Sequence, residues 1–299
     1  MTFEEALMDS KIEYKLNVDL ASVSSFKIGG IAKCVCYPAN ADDVRSVYRL
    51  SEEFSLPVAV IGRTSNSLFL DSGFDGILLS TIRMNRKIEI GKGLFLMEAG
   101  CSLTKEAYEL AKKGWSGLEF AYGIPGSIGG AVFMNAGAYG SNVSALIRSV
   151  TVWDKQTKEV FEIKAEYCLF CYRHSVFMEK PDWLILSAVF QLTPGDPEES
   201  SKTMAEYKEK RTQSQPLDYP SIGSIFIRPN TGFAGKYIED CGLKGYSIGG
   251  AEVSVKHAGF IINKGKASAK DVLDLVAYIQ NTVRERFRVD LEPEIRVIG

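Results

Sequence analysis

The stretch GIPGSIGGAVFMNAGAYG, residues 123–140, sets Gly123, Gly126, Gly129, Gly130, Gly137 and Gly140 close together and leaves little side chain to pack. Glycine at this density serves one of two ends. It reaches positive φ in tight turns, or it lets main-chain N–H groups come close to something bulky such as a phosphate or a cofactor ring. A second loop, GRTSNS at 62–67, follows the apolar run LPVAVI and offers main-chain amides beside the side chains of Thr64, Ser65, Asn66 and Ser67. The Rossmann pattern G-x-G-x-x-G and the P-loop pattern G-x-x-x-x-G-K-[ST] are both missing. The chemistry this pair of loops suggests is a diphosphate wrapped by main-chain donors, without a lysine. The candidate cofactor-binding residues are Gly62, Thr64, Ser65, Asn66 and Ser67 in one loop, and Pro125, Gly126, Ser127, Gly129, Gly130, Asn135 and Gly137 in and after the other. Structural turns are the alternative.

Other reactive groups are sparse. Cys168 and Cys171 form a C-x-x-C, a spacing used by redox pairs and by half of a zinc site, but no second pair follows it. Six cysteines in 299 residues do not make a disulfide framework, and His174 and His257 are the only histidines. The cysteines read as buried apolar thiols, and no metal is expected.

The elements that must hold these loops can be read from periodicity. NADDVRSVYRLSEEF, 40–54, has apolar residues at helical spacing, and LPVAVIG, GILLSTI and GLFLMEAG read as short strands. SLTKEAYELAKKG, 102–114, reads as a helix capped by Ser102 and stopped by Gly114. SVTVWDK, EVFEIKA and WLILSAVFQL are β-rich, TPGDPEESS at 193–201 is the best linker, and a charged helix follows it as far as Pro216. GSIFIRP and HAGFIIN read as strands. A last helix starts at Ser268, with a capping-box pattern to Asp271 and Val272, Leu275, Val276, Ile279 and Val283 on one face. Helices and strands mix without steady βαβ alternation, so the expected class is α+β.

The chain is long enough for two or three domains. Its formal charge of −2 gives no electrostatic reason to expect nucleic acid or an anionic membrane. The opening MTFEEALMDSKIEYK is polar and acidic rather than signal-like, and no apolar run is long enough to span a bilayer. A cytoplasmic protein is expected, and a monomer.

GLEFAYGIPGSIGGAVFMNAGAYG resembles the central signature of the UDP-N-acetylenolpyruvoylglucosamine reductase family. The resemblance continues in the family's order through SFKIGGIA, SNSLFLDSGFDG, YRHSVF, QPLDYPSIGSIF, GLKGYSIGGAEVSVKHAGFIIN and LEPEIRVIG. It implies noncovalent FAD, NADPH as reductant, and a role in peptidoglycan precursor synthesis, hence in cell wall biogenesis, cell shape and division. It also implies the FAD-binding fold of the vanillyl-alcohol-oxidase type in two subdomains, 1–84 (with 289–299 returning to it) and 85–200, and a substrate domain at 201–288. The short span from YRHS to WLILSAVF resembles the family's shorter type, which lacks an extra tyrosine loop. Three positions depart from the family's usual pattern. Ser24-Ser25 stands for Asn-Thr, Thr64-Ser65-Asn66 for Gly-Ser-Asn, and Ile227-Arg228 for Lys-Asn.

The same resemblance implies site roles. Ser224 in PSIGSIF takes the place of the proton donor, Arg173 in YRHS would clamp the substrate carboxylate, and Glu294 in LEPEIRVIG matches a carboxylate that polarises the intermediate or relays a proton. Arg211 and Lys244 match basic positions facing the diphosphate, Arg228 would replace an amide, and Tyr172 would neighbour the substrate. His257 reads as structural or peripheral. Two other readings use the same loops: an oxidase of a hydroxy acid or alcohol on the same fold, and a nucleotide-binding module without catalysis.

Overall fold

A computed structural model describes residues 1–299, and the chain divides into two compact units. The first comprises Met1–Lys15, Cys34–Arg63 and Gly76–Lys210; the second comprises Leu16–Lys33, Thr64–Asp75 and Arg211–Gly299. The loop residues Thr64 to Ser67 thus group with the C-terminal third of the chain.

In the first unit, the β-rich segments form a five-stranded antiparallel sheet in the order Val160–Lys164, Ile147–Asp154, Trp183–Gln191, Leu94–Glu98, Lys87–Gly91. Val150, Val152, Ala188, Phe190 and Met97 are buried in one core with Leu103, Ala107 and Leu110 of the helix Leu103–Lys112. Ile128, Ala131 and Val132 of the short helix Ile128–Phe133 join that core. A four-stranded sheet, in the order Glu13–Asp19, Ile31–Tyr37, Phe74–Ser80, Val58–Ile61, has its last two strands parallel. The helix Ala41–Glu53 buries Val44, Val47 and Tyr48, as the spacing predicts, and also Leu50, while Phe54 at the end of the same pattern is its half-buried C-cap.

The second unit is built around the helix Ala269–Phe287. Its five expected core positions, Val272, Leu275, Val276, Ile279 and Val283, are all buried, against Ile225, Phe226, Ala251, Val253 and Ile261. The Ser268–Asp271 capping box is formed, and the Asp71 carboxylate adds a second clamp by accepting the N–H groups of Ala269 and Lys270 at 2.8 and 3.0 Å. A small antiparallel sheet runs Ser247–Ile248, Ala251–Val253, Ile261–Asn263. The C-terminal strand Arg296–Ile298 pairs in parallel with Ser67–Phe69.

Four expectations need correction. TPGDPEESS is no linker: Thr193–Pro194 pairs with Trp115–Ser116, and Pro197 opens the helix Pro197–Ser214 at the position where its missing N–H costs nothing. Ser102 stands at the N-cap of its helix but makes no side-chain cap bond. GSIFIRP forms no ladder, because successive main-chain groups bond to two different segments, Ile225 N–H to the Gly259 carbonyl and Ile227 N–H to the Glu292 carbonyl. Cys168 is buried but Cys171 is exposed, so the C-x-x-C is not a pair of core thiols.

Candidate functional site

The two glycine loops meet at one point in the first unit. Gly62 follows the strand Val58–Ile61, and a Cβ there would lie 2.4 Å from the Ser127 hydroxyl oxygen. Ser127 caps the helix Ile128–Phe133, its Oγ accepting the Gly130 N–H at 3.3 Å. Gly62 must therefore lack a side chain for this cap to sit where it does.

Inside the GIPGSIGG loop the glycines divide by what surrounds them. Gly129 is buried, its N–H donates to the Ala99 carbonyl at 2.8 Å, and a Cβ on it would come within 2.9 Å of the Ala99 Cβ. Packing alone accounts for it. Ile128 N–H is likewise taken by the Cys101 carbonyl at 2.9 Å. Gly130 is exposed, and a Cβ on it would meet only the Ser127 hydroxyl, at 3.5 Å. Gly126 takes φ of +150°, which favours glycine, and its carbonyl accepts the Leu103 N–H. The part of the loop free of side-chain obstruction is thus the chain around Gly126 and Ser127 with the open Cα of Gly130, beside Gly62 and next to the exposed Pro125. It suits a group that needs close backbone approach.

Asn135 and Gly137 are used by the protein itself. The buried Asn135 donates through Nδ2 to the Cys171 carbonyl at 2.8 Å and accepts the Ser144 N–H at 3.2 Å. Cys171 and His174 exchange two main-chain hydrogen bonds across a turn that carries Tyr172 and Arg173, with Arg173 at φ +56°. Arg173 Nη2 donates to the Gly137 carbonyl at 3.3 Å, and Ser175 Oγ donates to the Phe133 carbonyl at 2.6 Å. Three bonds therefore fasten this turn to the last residue of the glycine-rich helix and the chain that follows it. Tyr172 is exposed, with the Arg173 guanidinium 5.3 Å from its ring centroid.

The second unit brings Ser224 and Glu294 to one place. Ile225, next to Ser224, accepts the Glu294 N–H at its carbonyl, at 2.7 Å, and Phe226 bridges to Pro293. Ser224 itself is exposed and bridges to Phe260, while Glu292 is also exposed. The Glu294 carbonyl accepts the Asn66 side-chain amide at 3.0 Å, so the 64–67 loop and the glutamate segment are joined by a side chain. Thr64, buried at φ +55°, accepts the Ser25 N–H on its hydroxyl at 3.2 Å. Two of the departures from the family pattern are therefore in contact.

The basic candidates differ in setting. Lys244 pairs with Glu239 at 2.8 Å, the exposed Arg228 lies over the Phe233 ring at 4.2 Å, and Arg211 donates to Gln215 Oε1 at 3.3 Å. His257 is closer to Ser224 than its sequence context indicates. Its Nδ1 accepts the Gly259 N–H at 3.1 Å, and burial holds the imidazole below its usual pKa. The i, i+2 relation of His257 to Gly259 is a local signal, but nothing local ties it to Ser224.

Residues 32–163 match a family model described as an FAD binding domain, and residues 215–298 match the UDP-N-acetylenolpyruvoylglucosamine reductase C-terminal domain. A UDP-N-acetylenolpyruvoylglucosamine reductase of Clostridium novyi is 42% identical over 99% of this chain and 95% of its own length. The chain belongs to the UDP-N-acetylenolpyruvoylglucosamine reductase family. The namesake from Caldicellulosiruptor saccharolyticus is 41% identical over 100% of this chain and 96% of its own. A crystal structure of the reductase from Thermus caldophilus matches with a TM-score of 0.80 at 29% identity, over 97% of this chain and 99% of that one. The expected α+β fold with its FAD-binding domain holds, and the reductase family membership leaves the oxidase and the non-catalytic module without support.

Proposed function

We propose that this chain reduces the enolpyruvyl group of UDP-N-acetylglucosamine-enolpyruvate to give UDP-N-acetylmuramate, with Ser224, Arg173 and Glu294 as its catalytic residues. The chemistry that bound FAD supplies is hydride transfer, from NADPH to the terminal vinyl carbon of the substrate. The chain around Gly126, Ser127 and Gly130, with Gly62, would hold the cofactor. Arg173 would bind the substrate carboxylate through its planar fork and stabilise the charge that accumulates there as an aci-enolate. The Ser224 hydroxyl would give its proton to the adjacent carbon and recover one from solvent. A serine is a weak acid, so it needs a very basic carbanion as its partner. Glu294 would polarise the same intermediate from the neighbouring segment. Arg211, Lys244, Arg228 and Tyr172 would contact the nucleotide-sugar.

The observation that carries this reading is the 2.7 Å bond from Glu294 N–H to the carbonyl of Ile225, which ties the proposed acid segment to the residue after the proposed donor. Replacing Ser224 by alanine tests it. Bleaching of the flavin absorbance by NADPH should persist, while its return on adding the enolpyruvyl nucleotide should slow by about 10²–10⁴-fold, the usual worth of general acid catalysis. An unchanged second phase would remove Ser224 from the mechanism. We further infer a cytoplasmic monomer with the three-part division at 1–84 (with 289–299 returning to it), 85–200 and 201–288; light scattering on the FAD-loaded protein tests the monomer.

A further inference from the structure

The loop joining the strands Ala251–Val253 and Ile261–Asn263 is tied by side-chain-to-backbone bonds. The buried Ser254 accepts the N–H groups of Lys256 and His257 on its hydroxyl, at 3.1 and 3.3 Å. His257 then folds its ring back on the loop and takes the Gly259 N–H at Nδ1, at 3.1 Å. Gly259 passes the constraint on, because its carbonyl accepts the Ile225 N–H at 2.9 Å. A Cβ on Gly259 would lie 3.0 Å from His257 Cε1 and 3.4 Å from Ser224 Oγ, so the bare side of the glycine faces both the imidazole and the serine hydroxyl.

We propose that His257, as the neutral imidazole, is a positioning residue for the Ser224 hydroxyl: its Nδ1 seats Gly259, and Gly259 fixes the main chain at Ser224 and Ile225. The inference rests on the reading of Ser224 as proton donor. An Nδ1 that accepts must carry a lone pair, so the ring is the Nε2–H tautomer. Protonation would place a second proton between Nδ1 and the Gly259 N–H and turn the bond into a donor–donor contact.

The surroundings favour the neutral ring. Phe260 meets it edge-on at 4.8 Å between centroids, and a Cβ on Gly235 of the helix Ala234–Asp240 would lie 3.5 Å from His257 Cε1. Among the charges on that side, Lys244 and Glu239 pair with each other, as do Lys236 and Asp240, and Lys256 sends its ammonium to the Thr212 carbonyl. Burial disfavours the imidazolium and outweighs a main-chain hydrogen bond at His257 that favours it; of the charges, Lys244 disfavours the imidazolium and Glu239 favours it.

Asparagine at 257 can present Oδ1 where histidine presents Nδ1, whereas glutamine and alanine cannot. In FAD-loaded protein, His257→Ala and His257→Gln should slow reoxidation by the enolpyruvyl nucleotide about 5- to 10-fold, the worth of one hydrogen bond, and leave NADPH bleaching at the wild-type rate. The wild-type second phase should fall at acid pH as the imidazole protonates, and His257→Asn should keep that phase within about 3-fold and abolish its acid loss. The chain has two histidines, so ring 15N shifts assign themselves by deletion. The His257 resonances should report the Nε2–H tautomer and titrate below the ordinary histidine range. The proposal is overturned if His257→Asn is as slow as His257→Ala, if the acid loss survives in His257→Asn, or if both half-reactions fall alike. Ser224→Ala run in parallel separates the two readings. Should it leave the second phase unchanged, the donor assignment fails; should it abolish that phase while His257→Ala does not touch it, only the positioning role fails.

Discussion

Gly129 and Gly130 are neighbours on one turn of helix, yet adding a methyl group to each should have opposite effects on the free protein. A Cβ on Gly129 would stand 2.9 Å from the Ala99 Cβ and 3.3 Å from the Ala99 carbonyl oxygen. Both neighbours are anchored, so the helix or the end of the strand Leu94–Glu98 must shift, and overpacking of this kind costs about 1–3 kcal/mol. A Cβ on Gly130 meets only the Ser127 hydroxyl at 3.5 Å, an ordinary contact. There the gain from replacing a helical glycine by alanine, about 0.5–1 kcal/mol, is free to appear. Urea denaturation of FAD-stripped protein should therefore show Gly129→Ala destabilised and Gly130→Ala stabilised. If the open Cα of Gly130 faces the cofactor's diphosphate, the same variant should also bind FAD more weakly, by fluorescence quenching titration, although its apoprotein is the more stable of the two. A Gly130→Ala variant with raised stability and undiminished FAD affinity would refute that contact and leave the glycine-rich stretch a structural turn.

Removing the carboxylate in Asp71→Ala takes away the acceptor for two N–H groups at the start of the helix Ala269–Phe287 and a negative charge at its positive end, so the urea midpoint should fall by the equivalent of about 1–2 kcal/mol; an unmoved midpoint would sink the argument. Lys87→Met should cost about 3–5 kcal/mol, because it strands the buried Glu106, and adding Glu106→Gln should restore most of the loss. Burial opposes the charge on Lys87, but its hydrogen bonds to Glu106 and Glu109 prevail and raise its pKa; its contribution is therefore full below the unfolded lysine value and lost as pH rises through the folded one, so the wild type should lose stability in strong alkali faster than that double variant does. Asn135→Ala should leave NADPH bleaching intact and raise KM for the enolpyruvyl nucleotide about 10-fold by loosening the Cys171–His174 turn, and equal damage to both half-reactions would count against that role.

What could be read from the sequence was what local spacing dictates. The terminal helix was legible because its period of buried residues and its Ser268–Asp271 box lie within one element. The same holds for the helix Ala41–Glu53 and for four strands of the five-stranded sheet, while the exposed edge strand Lys87–Gly91 went unread. The segment after Ser224 was misread as a strand because its hydrogen-bond partners, Gly259, Glu292 and Glu294, lie far along the chain and in different segments. Asp71 could not be recognised as a helix clamp for the same reason: the N–H groups it accepts belong to Ala269 and Lys270. Thr193–Pro194 has linker composition, and only its pairing with Trp115–Ser116 gives it structure. At the site, the family motifs indicated Ser224, Arg173 and Glu294, whereas the supporting bonds from Asn135 and Asn66 depend on tertiary contacts that no motif spells out, and the local His257–Gly259 bond reaches the Ser224 segment only through the Gly259 carbonyl.

The departures at Ser24-Ser25 and at Thr64 show how far this matters. Read along the chain they are two separate changes, but Thr64 Oγ1 accepts the Ser25 N–H at 3.2 Å and lies 3.5 Å from the Ser25 hydroxyl. They act as one. Thr64 replaces the family's usual glycine at a φ of +55°, where a β-branched residue is strained by about 1–2 kcal/mol. A hydrogen bond worth about 0.5–1.5 kcal/mol offsets much of that cost. Thr64→Val keeps the strain and loses the bond, so it should destabilise by about 1 kcal/mol. Thr64→Gly loses the same bond but releases the strain, and its extra unfolded-state entropy costs only about 0.5–1 kcal/mol. The glycine variant should therefore unfold at a urea concentration no lower than the valine variant does, despite having lost the whole side chain. The opposite order would mean that Thr64 contributes through its buried methyl group, and that its contact with Ser25 does not compensate for the backbone it imposes.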